Sequence, residues 1–245
     1  MVNSPKISLT VFFPCHNEQD NIESLTLAAL KVLETISDDY EVIIVDDGST
    51  DQTAQVAQKL TQQSPHVRLV QHPVNQGYGA ALQSGFGAAK KQWVFYTDGD
   101  GQFDISEITK LLPLTSSSTI VSAYRAQRSD SLLRKINGAC WSMLVNLLLG
   151  IRVRDIDCAF KLFPSKLFLE IELHATGALI DAEILAKAVR RGYQIRQLPV
   201  SHYPRIAGTQ SGASMKVILR AFKELFQLRN HIRRTSPPSR PTADA

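Results

Sequence analysis

The sequence predicts an α/β fold, a mainly parallel sheet with helices on both faces, and three observations support this prediction. Segments typical of strands and helices alternate through the first half of the chain with short connections. The strand segments are continuous apolar runs, as expected for strands buried on both faces. Polar residues follow several of these runs directly, and ligands of open α/β sheets bind at the carboxyl ends of the strands.

Each element of the first half has a local reason. Apolar residues at helical spacing follow the first strand and predict a helix. Ser49 and Gln52 form a Ser-x-x-Gln pattern, which is typical of a capping box at the start of a helix. The third helix is predicted from its alanines, which favour helix. Strands are predicted at Ile7–Phe13 (stopping at Pro14), Glu41–Val45, Val67–Val70 and Trp93–Thr97, and helices at Asn21–Thr35, Ser49–Leu60 and Gly79–Lys90.

The second half is less regular but continues the alternation. Its last helix is amphipathic, with apolar residues on one stripe. The final residues, SPPSRPTADA, lack the apolar side chains of a packed core and predict a disordered tail. Residues 1–234 are therefore expected to form one domain and residues 235–245 the tail. Strands are predicted at Ile120–Ala123, Cys158–Phe163 and Ile195–Val200, and helices at Ser131–Leu149, Ile180–Arg190 and Met215–Leu228.

Composition excludes several classes of protein. The 245 residues are 44% hydrophobic and 20% charged, with a net charge of +4, which excludes disordered, collagen-like and coiled-coil chains. Three cysteines are too few for a disulfide framework. No signal peptide is recognised, and no apolar run approaches the about 20 residues of a spanning helix. We expect a cytoplasmic protein without membrane spans.

Two carboxylates, Asp98 and Asp100, follow the fourth predicted strand in the segment TDGDGQ. If the chain stays extended there, both lie on one face. Oxygen ligands suit Mg²⁺ or Mn²⁺, and one or two carboxylates suffice when substrate phosphates supply the other ligands. Gln102 adds a further oxygen. The pattern alone is equally typical of an acidic turn, so its position decides the interpretation.

Polar residues also follow the two neighbouring strands. Asp46 and Asp47 come after the second strand, and Asn17 and Glu18 follow the first in the segment PCHNE. Carboxyl ends of parallel strands meet at one edge of a sheet. Carboxylates gathered there without cations would repel one another. The sequence therefore predicts a site for a metal ion and a nucleotide at this edge.

Four segments carry a family resemblance. In their order and spacing, FPCHNEQDNI, VDDGSTDQT, NQGYGAALQSGF and YTDGDGQFD resemble the inverting family 2 glycosyltransferases of the GT-A fold, which is Rossmann-like and binds nucleotide-diphospho-sugars. The most similar group is that of dolichyl-phosphate mannosyltransferase-like and undecaprenyl-phosphate glycosyltransferase-like enzymes. The resemblance covers about Leu9 to Val217.

The resemblance implies an activity and roles for individual residues. A hexose would pass from a nucleotide-sugar of the GDP-mannose or UDP-glucose type to a polyprenyl phosphate. Asp98, Asp100 and Gln102 would hold Mg²⁺ or Mn²⁺ and, through it, the donor diphosphate. Asp47 would contact the base or ribose. The nucleotide-sugar site would be formed by Pro14, Asn17, Glu18, Asp46, Asp47, Asn75, Gly77 and Arg205.

The Gly-rich segment NQGYGAALQSG is not a dinucleotide fingerprint, because Leu82 stands where the third glycine of G-x-G-x-x-G is required. We interpret Gly77 and Gly79 as turn residues, with small side chains that allow close packing of helix on sheet.

Basic residues concentrate in the second half of the chain. The resemblance implies that two arginines bind the acceptor phosphate, and Arg125 and Arg134 match best, with Arg128 as a substitute. Arg205 would contact the donor diphosphate. Gln210-Ser211 stands where the mannosyltransferase pattern has Ser-Lys, a departure that bears on donor identity.

An acidic residue near position 155 would face the sugar or the acceptor. Asp155 and Asp157 both qualify as catalytic residues and share a face if the segment is extended. We prefer Asp155, with Asp157 as the alternative. Transfer to a phosphate needs no strong base, whereas transfer to a hydroxyl of a saccharide or lipid would need one of these carboxylates.

Basic and apolar residues are mixed in two predicted helices, a pattern typical of membrane-surface elements. We expect peripheral attachment to the cytoplasmic face of a membrane, with a membrane partner protein as a further option. Nucleic-acid binding is not expected, since the basic clusters contain no recognised motif. The alternatives to the main prediction are transfer to a hydroxyl and a non-catalytic module that binds sugar nucleotides.

Overall fold

The computed structural model describes residues 7–126, 132–204 and 224–232. Seven strands form one sheet: β1 (Ser8–Cys15), β2 (Asp39–Asp46), β3 (Val67–Gln71), β4 (Trp93–Thr97), β5 (Thr119–Arg125), β6 (Phe160–Pro164) and β7 (Gln194–Val200). The helices are α1 (Ile22–Ile36), α2 (Thr53–Gln63), α3 (Tyr78–Ala88), α4 (Leu132–Leu149), α5 (Leu167–Glu170) and α6 (Ile180–Arg190), with 3₁₀ turns at Ile105–Lys110 and Leu112–Leu114, and residues 224–232 are helical.

The strand order is β3-β2-β1-β4-β6-β5-β7. Every pairing is parallel except those of β6, which is antiparallel to both β4 and β5. The predicted α/β class with a mainly parallel sheet is therefore confirmed. The parallel strands all end at the same edge, so the loops that follow them face one region.

The centre of the sheet is the core of the molecule. β1, β2 and β4 are buried along almost their whole length, as continuous apolar runs require. α3 packs closely on β1 because Gly85 has no side chain: a Cβ there would lie 2.3 Å from the ring of Phe12. No helix among the described residues has both the length and the apolar character needed to cross a bilayer.

The predicted end of the first strand was wrong. β1 does not stop at Pro14 but continues to Cys15, paired with β2. Its register with β4 already ends at Phe12 and Tyr96, so the missing amide hydrogen of Pro14 costs no bond on that side.

The predicted capping box at Ser49 was also wrong. α2 begins at Thr53, and the Ser49 hydroxyl accepts instead from the amide of Asn17 at 2.9 Å. Asp51 takes over the first turn, since its carboxylate accepts from the amide of Thr53 at 2.9 Å. The predicted helix Met215–Leu228 lies mostly outside the described residues, as does the whole predicted tail.

Candidate active site

Four carboxylates gather where β1, β2 and β4 end, as their positions in the sequence predicted. Burial, and then the negative charges of Glu18, Asp46, Asp98 and Asp100, raise the pKa of the Cys15 thiol well above its ordinary value. Charges shift a pKa in this way only from nearby, so the four carboxylates surround this thiol. Cys15 itself is 3% exposed, which makes it a packing residue and not a nucleophile.

Asp98 and Asp100 lie together at the end of β4. Burial, followed by the charge of Asp100, raises the pKa of Asp98 to about 7. The Tyr78 hydroxyl donates to Asp98 Oδ1 at 3.0 Å, and the Gln102 amide donates to Asp100 Oδ1 at 3.1 Å. Only glycine fits between the two carboxylates, because a Cβ on Gly99 would lie 2.5 Å from Cys15 Sγ.

The donor set fits a divalent cation whose remaining ligands come from a substrate. Asp46 Oδ2 is buried and has no hydrogen-bond partner among the described residues. In the same part of the chain, no group of three or more His, Cys, Asp or Glu could hold a metal ion alone. The side-chain nitrogen Nε2 of Gln102 donates to the carbonyl of Tyr203 at 2.9 Å, and the side-chain oxygen takes no part in that bond. Asp98 and Asp100 therefore suit an ion that diphosphate oxygens complete.

The loop after β1 is tied to the loop after β2. Asn17 has a positive φ of 58°, which asparagine tolerates better than most residues. Its Oδ1 accepts from the amide of Thr50 at 2.8 Å. The Glu18 amide donates to the hydroxyl of Thr53 at 2.8 Å, and Glu18 Oε2 accepts from Asn21 Nδ2 at 2.7 Å. These bonds hold Asn17 and Glu18 at the edge where the sequence predicted them, beside the buried Pro14.

Asp47 holds the loop that contains Asn75 and Gly77. Its carboxylate accepts from the amides of Gln76 and Gly77, both at 2.9 Å, and is 2.7 Å from His72 Nδ1. Both oxygens are thus used within the chain, which gives Asp47 a positioning role. Its contact with a base or ribose stays a prediction, as do the roles of the exposed Asn75 and of Gly77.

Gly77 and Gly79 lie against backbone carbonyls that leave no room for a side chain, a contact that the sequence did not predict. A Cβ would lie 2.7 Å from the carbonyl oxygen of Thr176 at Gly77, and 2.5 Å from that of Ala175 at Gly79. The Gly79 amide donates to the Thr176 carbonyl at 2.9 Å. The expected packing of helix on sheet is instead the role of Gly85.

Arg125 and Asp155 form a two-point ion pair. Arg125 Nε and Nη2 each lie 2.7 Å from one oxygen of Asp155, and both side chains are largely buried. Among the predicted phosphate-binding arginines, Arg125 thus has a carboxylate partner inside the chain. Arg128 and Arg205 lie outside the described residues, and of Arg134 only the helical backbone is described.

Asp157 is exposed, in contrast to Asp155. Partial desolvation of its carboxyl, and then the charge of Asp181, raise the pKa of Asp157 to about 6. Asp155 is held in its ion pair with Arg125, whereas the pKa of Asp157, about 6, is close to neutral pH. The choice of the catalytic carboxylate between Asp155, preferred from the sequence, and Asp157 stays a prediction.

A buried polar network behind the site was missed by sequence reasoning. Lys161 and Tyr96 are fully buried, Asp181 is 3% exposed, and Tyr78 lies near Asp181 and donates to Asp98. The available signal was a lysine inside the apolar run of β6, because a charge there needs buried partners. His72 was missed too, and nothing in its sequence neighbourhood marks its contact with Asp47.

Comparisons with known proteins agree with this architecture. A model of the family described as Glycosyl transferase family 2 matches residues 10–171. The dolichyl-phosphate beta-glucosyltransferase of Saccharomyces cerevisiae is 31% identical over 223 residues, covering 80% of this chain and 67% of that protein. The undecaprenyl-phosphate 4-deoxy-4-formamido-L-arabinose transferase of Edwardsiella ictaluri is 28% identical over 213 residues, covering 86% of this chain and 64% of that protein.

Solved structures share the fold. Glucosyl-3-phosphoglycerate synthase from Mycobacterium tuberculosis, crystallised with uridine-diphosphate, superposes with a TM-score of 0.69 at 19% identity. The match covers 91% of this chain and 80% of that chain. The present chain spans about two thirds of the length of the curated relatives described above.

Proposed function

Because the chain belongs to glycosyl transferase family 2, we propose that it moves a hexose from a nucleotide-sugar to a polyprenyl phosphate with inversion at the anomeric carbon. The observation that carries this proposal is the group of carboxylates around Asp98 and Asp100 at the carboxyl edge of the sheet. Its acceptor half is supported by the names of the relatives, which are transferases for dolichyl and undecaprenyl phosphate.

Asp98, Asp100 and Gln102 would hold Mg²⁺ or Mn²⁺ on the donor side. The ion would supply charge stabilisation to the departing nucleoside diphosphate. Asp47 keeps the Asn75–Gly77 loop beside the end of β2, and the bonds of Asn17 and Glu18 fix the opposite wall. The chain's own contribution to donor binding would be these loops, which hydrogen bonds hold in place, with Arg205 proposed from the sequence as a further contact to the diphosphate.

On the acceptor side, a phosphate monoester has a second pKa of about 6 and is an anionic nucleophile at neutral pH. It needs positioning more than deprotonation. Arg125 would be one phosphate contact through Nη1, the nitrogen not used in its two bonds to Asp155. Arg128 and Arg134 are proposed beside it from the sequence.

The sugar is proposed to be glucose rather than mannose. Two relatives with 31% identity are named dolichyl-phosphate beta-glucosyltransferases. The departure at Gln210-Ser211 from the mannosyltransferase pattern points the same way. The base of the nucleotide is left to experiment.

A second candidate function is transfer to a hydroxyl, and one observation favours it. The raised pKa of Asp157, about 6, suits a general base that removes a proton from an alcohol near neutral pH. A phosphate acceptor would make this carboxylate dispensable.

A membrane surface is proposed as the place of action. Met143 and Leu147 on α4 are 72% and 77% exposed. The exposed Arg152 and Arg154 follow the same helix. Exposed apolar and basic side chains together suit the interface of an anionic bilayer.

The first experiment measures release of nucleoside diphosphate. UDP- and GDP-sugars are offered with Mg²⁺ or Mn²⁺, and with a polyprenyl phosphate, a polyprenyl alcohol or no acceptor in detergent. We expect release from a glucose donor that requires both the metal and the lipid phosphate. Nucleotide binding with metal but without release on any acceptor would support the non-catalytic module instead.

Two variants make this assay specific. Asp98→Asn should lower turnover by about 100-fold or more, since it removes a proposed ligand of the ion. Asp104→Asn is the matched control, because Asp104 is exposed and only caps the following 3₁₀ turn. Asp157→Asn separates the acceptor classes: a loss of only a few fold supports the phosphate, and near-complete loss supports the hydroxyl.

A further inference from the structure

Lys161 is the second residue of β6 and is fully buried. An ammonium group in such a place is strongly destabilising unless charges and hydrogen bonds compensate it. Four oxygens surround Nζ: Asp181 Oδ1 at 3.0 Å, Tyr96 Oη at 3.2 Å, and the carbonyls of Ile156 at 3.0 Å and Cys158 at 2.6 Å. These oxygens compensate the charge of the ammonium and accept its hydrogen bonds, so Lys161 can be buried beside the candidate site.

Two of these four oxygens belong to the residues on either side of Asp157. Ile156 and Cys158 are buried, at 1% and 0% exposure, while Asp157 between them is exposed. β6 begins at Phe160 rather than at Cys158 because the Cys158 carbonyl accepts from Lys161 Nζ and from the Phe160 amide. Lys161 thus holds the backbone on both sides of Asp157.

The same group of bonds lies next to the donor side. The Tyr96 hydroxyl donates to Asp181 Oδ1. The single proton of the Tyr78 hydroxyl goes to Asp98 Oδ1 at 3.0 Å, and Tyr78 lies close enough to Asp181 for that charge to raise the pKa of its hydroxyl. Two hydrogen-bonded groups, Lys161 with Tyr96 and Asp181, and Tyr78 with Asp98, therefore lie next to each other between the loop around Asp157 and the carboxylate pair at the end of β4.

We propose that the buried Lys161–Asp181 pair is a positioning element: it fixes the loop of residues 156–158 so that Asp157 stands at a set place relative to Asp98 and the donor site. Lys161 acts through the loop backbone and touches no substrate. The inference rests on the proposed function for its kinetic readout alone, since the position of the loop is a property of the protein without ligands.

The test removes the pair without leaving a single buried charge. In the double variant Lys161→Met with Asp181→Asn, both charges disappear and the asparagine still accepts from Tyr96. Replacing a whole buried ion pair is often close to neutral for stability. The matched control is Arg68→Met with Glu41→Gln. This second ion pair also has a buried carboxylate, with Arg68 Nη1 2.6 Å from Glu41 Oε2. It lies near the start of β2, away from the candidate site.

Two measurements are made on the folded variants. Amide hydrogen exchange at residues 156–160 should become about tenfold faster in the double variant and stay unchanged in the control. Turnover should fall by about tenfold to 100-fold, with the KM for the donor unchanged. Unchanged exchange and unchanged turnover, or a loss that the control pair reproduces, would overturn the proposal.

The two readouts also separate this inference from the proposed function. If the parent protein transfers no sugar to any acceptor, the proposed function fails while the exchange measurement still decides the role of Lys161. If the double variant does not fold, Asp181→Asn alone replaces it, since it removes the charge that holds the Lys161 ammonium and keeps an acceptor for the Tyr96 hydroxyl. Faster exchange confined to residues 156–160 supports the proposal in that variant, and exchange equal to that of the parent contradicts it.

Discussion

Asp98, a proposed ligand of the divalent ion, would determine the pH range in which that ion binds. Its carboxyl has a pKa of about 7, because burial and the charge of Asp100 both oppose ionisation. A protonated carboxyl cannot be a metal ligand, so proton and metal compete for it. As pH falls below about 7, a growing fraction of Asp98 is protonated and metal binding weakens.

We therefore expect the apparent affinity for Mn²⁺, measured with nucleoside diphosphate present, to fall by up to about tenfold for each pH unit below 7. Calorimetric titrations at several pH values would measure it, with Mn²⁺ and the nucleotide alone as the baseline. The Asp104→Asn protein should follow the parent curve. A protein-dependent affinity that does not change with pH would contradict the prediction.

Residue types and their places after strands were enough to predict which carboxylates meet. Asp46, Asp47, Asp98 and Asp100 could be placed at one edge because parallel strands end together. Their partners could not be predicted, since these depend on contacts between distant parts of the chain. The ion pair between Asp155 and Arg125 is such a contact, since nothing near Asp155 in the sequence reveals it.

α3 offers a direct test of how its glycines are used. Gly85 faces the ring of Phe12, which is fully buried and cannot move away, whereas a Cβ at Gly87 would meet no atom within 4 Å. We expect Gly85→Ala to destabilise the protein by about 1–3 kcal/mol through overpacking. Gly87→Ala should stabilise it by about 0.5–1 kcal/mol, because alanine is the better helix former.

Urea denaturation of the two variants and the parent would measure these changes. The substitutions are chemically identical and lie two positions apart in one helix, so their opposite signs would isolate the contact with Phe12. Equal changes in both variants would show that helix propensity alone decides.

The predicted elements were most accurate where the local pattern decides the structure. β4 and α6 have the predicted bounds, Trp93–Thr97 and Ile180–Arg190. The place of β6 between β4 and β5 was not predicted, because pairing order depends on residues far apart in the chain. The capping box at Ser49 failed for a similar reason, since the hydroxyl is used by the loop after β1.

The surface of α4 makes a prediction about the molecule's location. Met143 and Leu147 are exposed beside Arg152 and Arg154, which suits contact with an anionic bilayer. Met143→Glu with Leu147→Glu should reduce binding to vesicles of anionic lipid by about tenfold or more, because it replaces apolar contact with like-charge repulsion.

Flotation of the protein with such vesicles at low salt would measure the effect. Leu169→Glu is the control. Leu169 is 90% exposed on α5, which follows β6. Because β6 is antiparallel to β4, this helix lies at the edge of the sheet opposite to the candidate site. If parent and double variant float equally, or if the control loses binding to the same extent, α4 is not the lipid-facing surface.

The reversed direction of β6 has a consequence for how the chain assembles on the ribosome. β1 to β4 pair with one another, so this half of the sheet can form once β4 has emerged. The other edge of β4 can pair only after β6 has been synthesised, with Trp93 opposite Pro164, and β5 pairs with the same strand. Contacts of such long sequence separation form slowly, and an unpaired strand edge invites wrong associations. We therefore expect the edge of β4 to stay open until β6 has been synthesised, and chaperones to protect it during that interval.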